Sequence, residues 1–205
     1  MLLGPLLTRE ALASSRIEGT NASLSEVLKA EEISTESASD DVQEVVRYLD
    51  ANKKALKLIE DLPISQRLIS LTHAELMRGV RGEEKFPGEL RRSPVWVGDA
   101  DATPDTAKFV PPLPEHLPEL LTDWEKFVND HRPRLPTLIR CALMHYQFET
   151  IHPFLDGNGR IGRLLIGLML IQERRLDAPI LYLSGYLEAR RSEYYDCLQL
   201  VREKG

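Results

Sequence analysis

The spacing of apolar residues along the chain limits which folds it can adopt. Val42, Val45 and Val46 begin one series in which apolar residues recur every three or four positions, and the segments 135–148 and 158–174 repeat the pattern. This spacing lines one face of an α-helix with apolar side chains, whereas a half-buried strand would alternate apolar and polar residues. The pattern therefore predicts an all-α fold.

Further signals indicate where the helices begin. Ser23 and Glu26 have the spacing of a capping box, which predicts the start of a second helix. The polar residues 34–41 predict a solvated loop. Further helices are expected near residues 65–77, 113–129, 135–148, 158–174 and 189–202. The chain has no internal repeat and no linker, so we expect residues 1–205 to form a single domain.

One region, residues 93–112, departs from the helical pattern. Two short β-branched and aromatic runs lie on either side of a turn rich in glycine, aspartate and proline, which predicts a β-hairpin. Two strands alone are marginally stable, so the hairpin is expected to lean on the helices and to keep a partly free edge. Such an edge can accept another chain as an added strand. A purely structural hairpin with blunted edges is the alternative, and this segment alone favours it.

Charge and composition exclude several classes of protein. The formal net charge of −6 argues against general nucleic-acid binding, which needs a cationic surface. The longest apolar run, residues 164–171, is too short to span a bilayer, and no signal-peptide pattern opens the sequence. We therefore expect a cytoplasmic protein. Cys141 and Cys197 both lie in apolar helical patterns, which favours buried, reduced thiols over a disulfide.

The sequence HPFLDGNGRIGRLL, residues 152–165, has the composition of an anion-binding site. Pro153 disfavours a helical residue before it and the Asp-Gly pair predicts a turn, so residues 152–157 are expected to form a loop that leads into a helix. The first N–H groups of such a helix have no helical partners and, with the helix dipole, favour a phosphate. Arg160 and Arg163 lie one helical turn apart, where their guanidinium groups can grip a polyphosphate.

Two other residues of this loop carry groups suited to phosphoryl transfer. Asp156 offers the hard oxygen ligand that Mg²⁺ accepts when phosphates and waters complete its coordination. His152 is placed to take a proton from an attacking hydroxyl group. Each residue by itself has an ordinary structural explanation, but their order within one loop favours the site. GNGRIG also matches the dinucleotide fingerprint GxGxxG, with Asp177 about 20 residues further on, but the residues before it do not form a buried strand pattern.

Two motifs resemble those of the Fic family of protein adenylyltransferases. HPFLDGNGRIGR matches the family signature HPFx(D/E)GNGRxxR at every specified position. SSRIEGT, residues 14–20, resembles the (S/T)xxxE(G/N) inhibitory motif of some Fic proteins, with Ser14, Glu18 and Gly19 at the specified positions. The hairpin at 93–112 is similar to the flap of the family, and the resemblance covers nearly the whole chain.

The resemblance implies an all-helical fold and the transfer of AMP from ATP to a hydroxyl side chain (Tyr, Thr or Ser) of a target protein, with pyrophosphate leaving. His152 would be the general base, and Asp156 would hold Mg²⁺ against the phosphates. Nucleotide binding would fall to six residues: Gly157, Asn158, Gly159, Arg160, Arg163 and Tyr195. Arg202 stands where some relatives place an asparagine near the base, so the nucleobase preference stays open.

The resemblance also implies two regulatory or docking contacts. Main-chain groups at the hairpin edge would pair with the target: Lys108, Phe109 and Val110. The inhibitory motif would lie on a helix within residues 6–20, and we expect its Glu18 to reach Arg163 and occupy the place of the γ-phosphate of ATP. A carboxylate and a phosphate compete for the same guanidinium group. Without the signature, an ordinary amphipathic helix with a solvated glutamate would be the better interpretation.

Two other functions stay open. Some relatives move other phosphate-containing groups or remove AMP, and removal would recruit Glu18 to activate water. A non-catalytic module that binds a partner through its hairpin is the other alternative, against which the complete signature argues. The expected partners are ATP and a target protein, while automodification and a homodimer are left open. Neither a membrane nor a nucleic acid is expected as a partner.

Overall fold

In a computed structural model, residues 3–33, 37–79, 83–98, 101–130 and 134–204 are described. These residues contain nine α-helices and no strand, and none of the helices is both long and apolar enough to cross a membrane. The helices are α1 (Leu3–Ile17), α2 (Leu24–Glu32), α3 (Asp40–Leu58), α4 (Gln66–Leu76), α5 (Leu117–Val128), α6 (Thr137–Ile151), α7 (Asn158–Gln172), α8 (Leu183–Ala189) and α9 (Arg191–Lys204). Short 3₁₀ turns lie at Glu83–Lys85 and Pro114–His116. The predicted all-α fold is confirmed.

Serine side chains begin three of the helices. Ser23 Oγ accepts a hydrogen bond from the Glu26 N–H at 3.3 Å, and the Ser23 N–H donates to the Glu26 carboxylate at 2.8 Å, which confirms the predicted capping box. Ser39 and Ser65 each accept a hydrogen bond from the third residue of α3 and α4. Each serine satisfies an N–H group that the helix itself cannot pair.

Much of the core converges on α7. This helix contacts α1, α3, α4 and α6, and its residues Ile161 and Leu165 are almost fully buried. Because neighbouring helices fix α7 on several sides, the loop that precedes Asn158 is held at a defined place. A second part of the core joins α5 to α6, where the rings of Trp124 and Phe148 lie 5.8 Å apart.

The observed helices differ from the predicted ones in length and number. α6 continues to Ile151, three residues beyond the expected end, and stops only where Pro153 follows. α8 was not predicted, because seven residues are too few to show a helical period. Of the predicted loop at 34–41, residues 34–36 lie outside the described residues, and α3 begins within the rest at Asp40.

One of the two cysteines lies at the surface. Cys141 is buried on α6, as expected, but Cys197 is exposed on α9, so the prediction of two buried thiols is wrong for Cys197. No residue of α9 is buried, and its apolar residues Leu200 and Val201 are also exposed. The apolar spacing of this segment therefore does not correspond to a core-facing side.

Residues 93–112, which we call the flap, form a reduced hairpin. Val97 and Phe109 exchange two main-chain hydrogen bonds of 2.8 and 3.1 Å, and no other strand pair occurs in the described part of the flap. Residues 99–100, near the turn, lie outside the described residues. Three prolines flank the bridge and cannot donate to a ladder: Pro94, Pro111 and Pro112. The two predicted strands are therefore reduced to a single antiparallel bridge.

Candidate active site

The loop of residues 152–157 joins α6 to α7. His152 directly follows α6 with a φ of 50°, in the left-handed region, and its N–H donates to the Phe148 carbonyl at 2.9 Å. Pro153 prevents the helix from continuing. The predicted loop is confirmed, and the candidate base is its first residue.

The side chain of Asn158 braces this loop. Its Oδ1 accepts a hydrogen bond from the Phe154 N–H at 2.9 Å, and its Nδ2 donates to the Phe154 carbonyl at 2.8 Å. Gly157 precedes the helix with a φ of 75°, and no side chain among the described residues caps α7. The first turn of α7 therefore presents main-chain N–H groups, which suit an anion.

His73 of α4 holds the same loop from the other side, and sequence reasoning did not find it. The Gly88 N–H donates to its Nδ1 at 2.8 Å, so the ring proton is on Nε2, which donates to the Asp156 carbonyl at 3.0 Å. The ring stacks on Phe154 with centroids 3.8 Å apart. Burial lowers the pKa of His73 to about 4, which keeps this support neutral.

Arg163 brings the inhibitory motif to the start of α7. Its Nε donates to Ser14 Oγ at 3.0 Å, and its Nη2 donates to the Ser14 carbonyl at 2.8 Å and to Glu18 Oε1 at 2.7 Å. A Cβ atom added at Gly159 would overlap Glu18 Oε1. The Glu18 carboxylate therefore lies against the N-terminus of α7, where a bound anion would also lie.

The turn after α1 sets the position of Glu18. α1 begins at Leu3 and ends at Ile17, so the helix starts earlier and stops sooner than the expected range of 6–20. Gly19 then takes a φ of 99°, a conformation that favours glycine. Glu18 is therefore the first residue beyond the helix, yet the turn keeps its carboxylate beside the same guanidinium group that binds Ser14.

Burial and charge act in opposite directions on Arg163. Burial disfavours its charge, but Glu18, Tyr194 and Glu149 surround it with acidic groups and together raise its pKa. The guanidinium group therefore stays charged in the interior. A buried cation of this kind needs an anionic partner, and Glu18 supplies one here.

Arg160 points in a different direction from Arg163. Its Nη2 lies 3.8 Å from Met77 Sδ and 3.6 Å from the Asp156 carboxylate, and its Nη1 lies 3.9 Å from Glu44. Its Nε and Nη1 are buried and have no hydrogen-bond partner among the described residues. The structure thus separates the two arginines that the sequence placed side by side, and only Arg163 contacts the inhibitory motif.

His152 is held in its neutral form. Burial lowers the pKa of its ring to about 4, with the main-chain carbonyl of Glu149 acting against that shift. Nearby Arg91 and Arg202 lower the pKa further, while the Glu18 carboxylate raises it. A neutral imidazole is the form that can accept a proton.

Asp156 is the exposed acid of the loop. Its side chain is 40% exposed, its Oδ1 accepts the Gly157 N–H, and Lys85 Nζ lies 3.9 Å from its Oδ2. Within the described ranges, no group of three or more His, Cys, Asp and Glu side chains is arranged to hold a metal ion by itself. One accessible carboxylate fits an ion such as Mg²⁺ that takes its other ligands from phosphates and water.

A cluster of titratable side chains, of which His145 and Glu149 are buried, lies against Gly162 of α7. His145 Nε2 and the Tyr194 hydroxyl are 2.9 Å apart, and a Cβ atom at Gly162 would overlap Glu149 Oε1. Burial raises the pKa of Glu149 to about 7 and lowers that of His145 to about 4. This cluster could not be predicted from the sequence, because its members are spread over α6 and α9.

Arg202 and Tyr195 of α9 face different parts of the site. The Cζ of Arg202 lies 3.6 Å from the centre of the Phe109 ring, and its Nη2 donates to the Glu149 carbonyl at 3.5 Å. The Tyr195 hydroxyl donates to the Ile17 carbonyl at 3.4 Å. Arg202 therefore links α9 to the flap, whereas Tyr195 lies beside the end of α1.

The flap has one edge turned away from its bridge. Neighbouring residues of an antiparallel pair direct their main-chain groups to opposite edges. Phe109 uses its groups on Val97, so those of Lys108 and Val110 point outward. Both of these residues are exposed, with 48% of Val110 accessible.

Comparison with known sequences gives two family matches. Residues 63–170 match the Fic/DOC family, and residues 1–57 match the Fic/DOC family N-terminal region. The chain is similar to proteins named protein adenylyltransferase Fic from Drosophila erecta and Drosophila virilis, with 32% and 33% identity over 159 residues. The match covers 77% of this chain but only 28% of each Drosophila protein, so the chain spans less than a third of their length.

Solved structures share the fold. A Fic family protein from Desulfovibrio desulfuricans superposes with a TM-score of 0.79 and 25% identity, covering 98% of this chain and 58% of that one. A Fic-1 fragment from C. elegans gives a TM-score of 0.70 and 25% identity, covering 95% of this chain and 55% of that one.

Proposed function

The chain belongs to the Fic/DOC family, and on this premise we propose that it is a protein adenylyltransferase, which moves AMP from ATP to a hydroxyl side chain of another protein. The observation that carries the proposal is the Glu18 carboxylate against Gly159, gripped by Arg163. A place that holds this carboxylate between a guanidinium group and a helix N-terminus suits a phosphate equally well. The Drosophila proteins with that name support the same reaction.

The triphosphate of ATP takes the N-terminus of α7 in this proposal. Main-chain N–H groups of Asn158 and Gly159 cradle the phosphates beside Gly157, whose own N–H donates to Asp156 Oδ1, and Arg163 binds the far end of the chain of phosphates. Arg160, whose guanidinium group lies close to Asp156, binds the phosphates from that side of the site. Tyr195, beside the end of α1, lines the base end of the site.

His152 provides the base for the transfer. The target hydroxyl oxygen attacks the α-phosphorus of ATP and gives its proton to the neutral His152 ring, while the bond to the bridging oxygen breaks and pyrophosphate leaves. Asp156 would hold Mg²⁺, which when bound neutralises charge on the phosphates. Lys85 Nζ and Arg160 Nη2 lie 3.9 and 3.6 Å from the Asp156 carboxylate, on the side of the loop where the phosphates would bind.

The flap presents the target. A main-chain segment of the target adds along the outward edge that Lys108 and Val110 form, beside Phe109. Such pairing fixes where the acceptor hydroxyl lies and reads little of the target sequence. Automodification of the chain is an additional outcome of the same reaction.

The N-terminal segment inhibits the reaction in this proposal. Ser14 and Glu18 accept three hydrogen bonds from the Arg163 guanidinium group. While they do so, Arg163 cannot form its full set of hydrogen bonds with the triphosphate of ATP. ATP then binds with its α-phosphorus misaligned, and misalignment by itself costs roughly 10²-fold in rate.

The test uses ATP labelled at the α-phosphate, Mg²⁺ and a cell lysate as the source of acceptors. We expect the Glu18→Gly variant to label proteins and the Glu18→Gly/His152→Ala variant to lose that labelling by about 10²–10⁴-fold, since a positioned base is missing. Mass spectrometry of labelled peptides identifies AMP on a hydroxyl side chain. Label from the γ-phosphate, or ATP binding without any transfer, would contradict the proposal.

A further inference from the structure

Arg91 is a buried arginine whose hydrogen bonds all go to main-chain groups. It is 3% exposed, and no carboxylate of the described residues forms an ion pair with it. Burial lowers the pKa of its guanidinium group, which means that its charge is kept inside at a cost. An apolar side chain would fill this space without that cost. The role of Arg91 therefore lies in the hydrogen bonds that its guanidinium group donates.

The contacts join three separate segments. Arg91 Nε donates to the His152 carbonyl at 2.8 Å, and its Nη2 donates to the Ile151 carbonyl at 3.3 Å. Its Nη2 also donates to the Pro112 carbonyl at 2.5 Å and its Nη1 to the Ser93 carbonyl at 3.4 Å. Ser93 and Pro112 are the two ends of the flap, so one planar group binds both ends of the flap and the end of α6.

The main chain of Arg91 adds a further contact to the same loop. Its N–H donates to the Pro153 carbonyl at 2.9 Å, directly after the candidate base. His152 has a φ of 50°, a strained backbone conformation that non-glycine residues hold only when their neighbours fix it. Arg91 is bonded to the carbonyl on this residue, and so helps to hold it there.

We infer that Arg91 is a positioning residue, which sets the distance between a target docked on the flap and the His152 ring. The inference rests on the proposed function, because it assumes that the flap carries the acceptor and that His152 is the base. A guanidinium group is suited to the task because its donors lie in one rigid plane, whereas the ammonium group of lysine is a point charge on a flexible stem. Displacing the flap or the loop by about 1 Å would separate the acceptor from the base.

The test compares two adjacent arginines in the Glu18→Gly background. Arg91→Lys keeps the charge but loses the planar fork, and we expect kcat for AMP transfer to the acceptor found in the lysate to fall by roughly 10²-fold. KM for ATP should change by less than about threefold, because Arg91 does not touch the nucleotide site. Arg92→Lys is the matched control, since Arg92 has an 88% exposed side chain that pairs with Glu89, and it should keep the parent kcat.

A second measurement does not depend on activity. Hydrogen exchange of the Val97 and Phe109 amides reports on the bridge of the flap, and we expect exchange at least about tenfold faster in Arg91→Lys than in Arg92→Lys. If Glu18→Gly with Arg91 intact transfers no AMP, the proposed function fails, and the exchange rates then decide whether Arg91 fixes the flap. Arg91→Met, which keeps the packing of the stem without the fork, should behave like Arg91→Lys.

Three results would overturn the inference. One is an unchanged kcat in Arg91→Lys and Arg91→Met when circular dichroism shows both folded. Another is an equal loss of ATP binding and of transfer, which would make Arg91 part of the general stability of the site. If neither variant folds at any temperature, Arg91 serves only the stability of the core.

Discussion

At the scale of single residues, the site is organised around charges that the interior holds in fixed states. His152 is neutral because burial lowers the pKa of its ring to about 4, and Arg163 is charged because acidic groups surround it. One group therefore accepts protons and the other binds anions at any pH near neutrality. Glu18 acts on both groups, since it binds Arg163 and also raises the pKa of His152.

Removal of Glu18 should release transfer. In Glu18→Gly we expect the initial rate of AMP transfer at saturating ATP to rise by at least about tenfold, equivalent to ~1.4 kcal/mol, because Arg163 becomes available to the triphosphate. Arg163→Ala removes the inhibitory contact and the phosphate contact together, so Glu18→Gly/Arg163→Ala should not show the increase. Equal rates for the parent and Glu18→Gly would mean that the N-terminal segment contributes only to packing and does not inhibit transfer.

Residues differ in how far the sequence could assign them. The order of His152 and Asp156 in the loop, with Arg163 on the helix that follows, indicated a phosphate site, and the resemblance of residues 14–20 to the inhibitory motif led us to expect Glu18 beside Arg163. His73, Arg91 and Glu149 gave no such signal. They act on main-chain carbonyls or on side chains that are distant in sequence, and a pattern of residue types carries no information about where those groups will meet.

At the scale of elements, the flap is the clearest departure from what was expected. Its sequence indicated two strands, yet prolines on both sides restrict pairing to Val97 and Phe109. The long helices were predictable because their apolar faces repeat over several turns. α8 was not, since its seven residues are too few to show a helical period; its Ser184 N–H donates to the buried Glu10 carboxylate at 2.9 Å across the fold, a contact that no local pattern shows.

Proline substitutions should separate the two edges of the flap. Val110→Pro removes an N–H group from the outward edge, so we expect target modification to fall several-fold while ATP affinity stays near that of the parent. Phe109→Pro removes the N–H that donates to Val97, so it should open the flap and also disturb the contact of Phe109 with Arg202. Titrations with ATP and modification assays on both variants check this. Unchanged modification in Val110→Pro would mean that the target does not pair with this edge.

At the scale of the whole molecule, buried titratable groups link folding to pH. His73, His145 and His152 each have a pKa of about 4, below the unfolded value of about 6.5. Between those values the unfolded chain binds protons that the folded chain does not, so these residues lower stability as the pH falls. Glu149, with a pKa of about 7, acts in the opposite direction, and so does Glu10, whose pKa burial also raises.

Three histidines against two carboxyl groups predict a net loss of stability on acidification. We expect the free energy of unfolding to decline from about pH 6.5 toward pH 5, by about 1.4 kcal/mol per pH unit for each net proton taken up on unfolding. Urea titrations across this range measure the decline. Glu149→Gln removes one opposing group, so its decline should be steeper than that of the parent, and a shallower one would contradict the assignment.

The bond between Glu18 and Arg163 joins residues 145 positions apart, from the two regions that match separate family segments. Because Glu18 is tethered, the local concentration of its carboxylate at Arg163 is fixed by the length and packing of the intervening chain, and not by how much of the protein is present. Dilution of the protein would therefore leave an intramolecular block of this kind unchanged. Cutting the chain between α1 and α2 would turn the same contact into an association between two pieces, which dilution weakens.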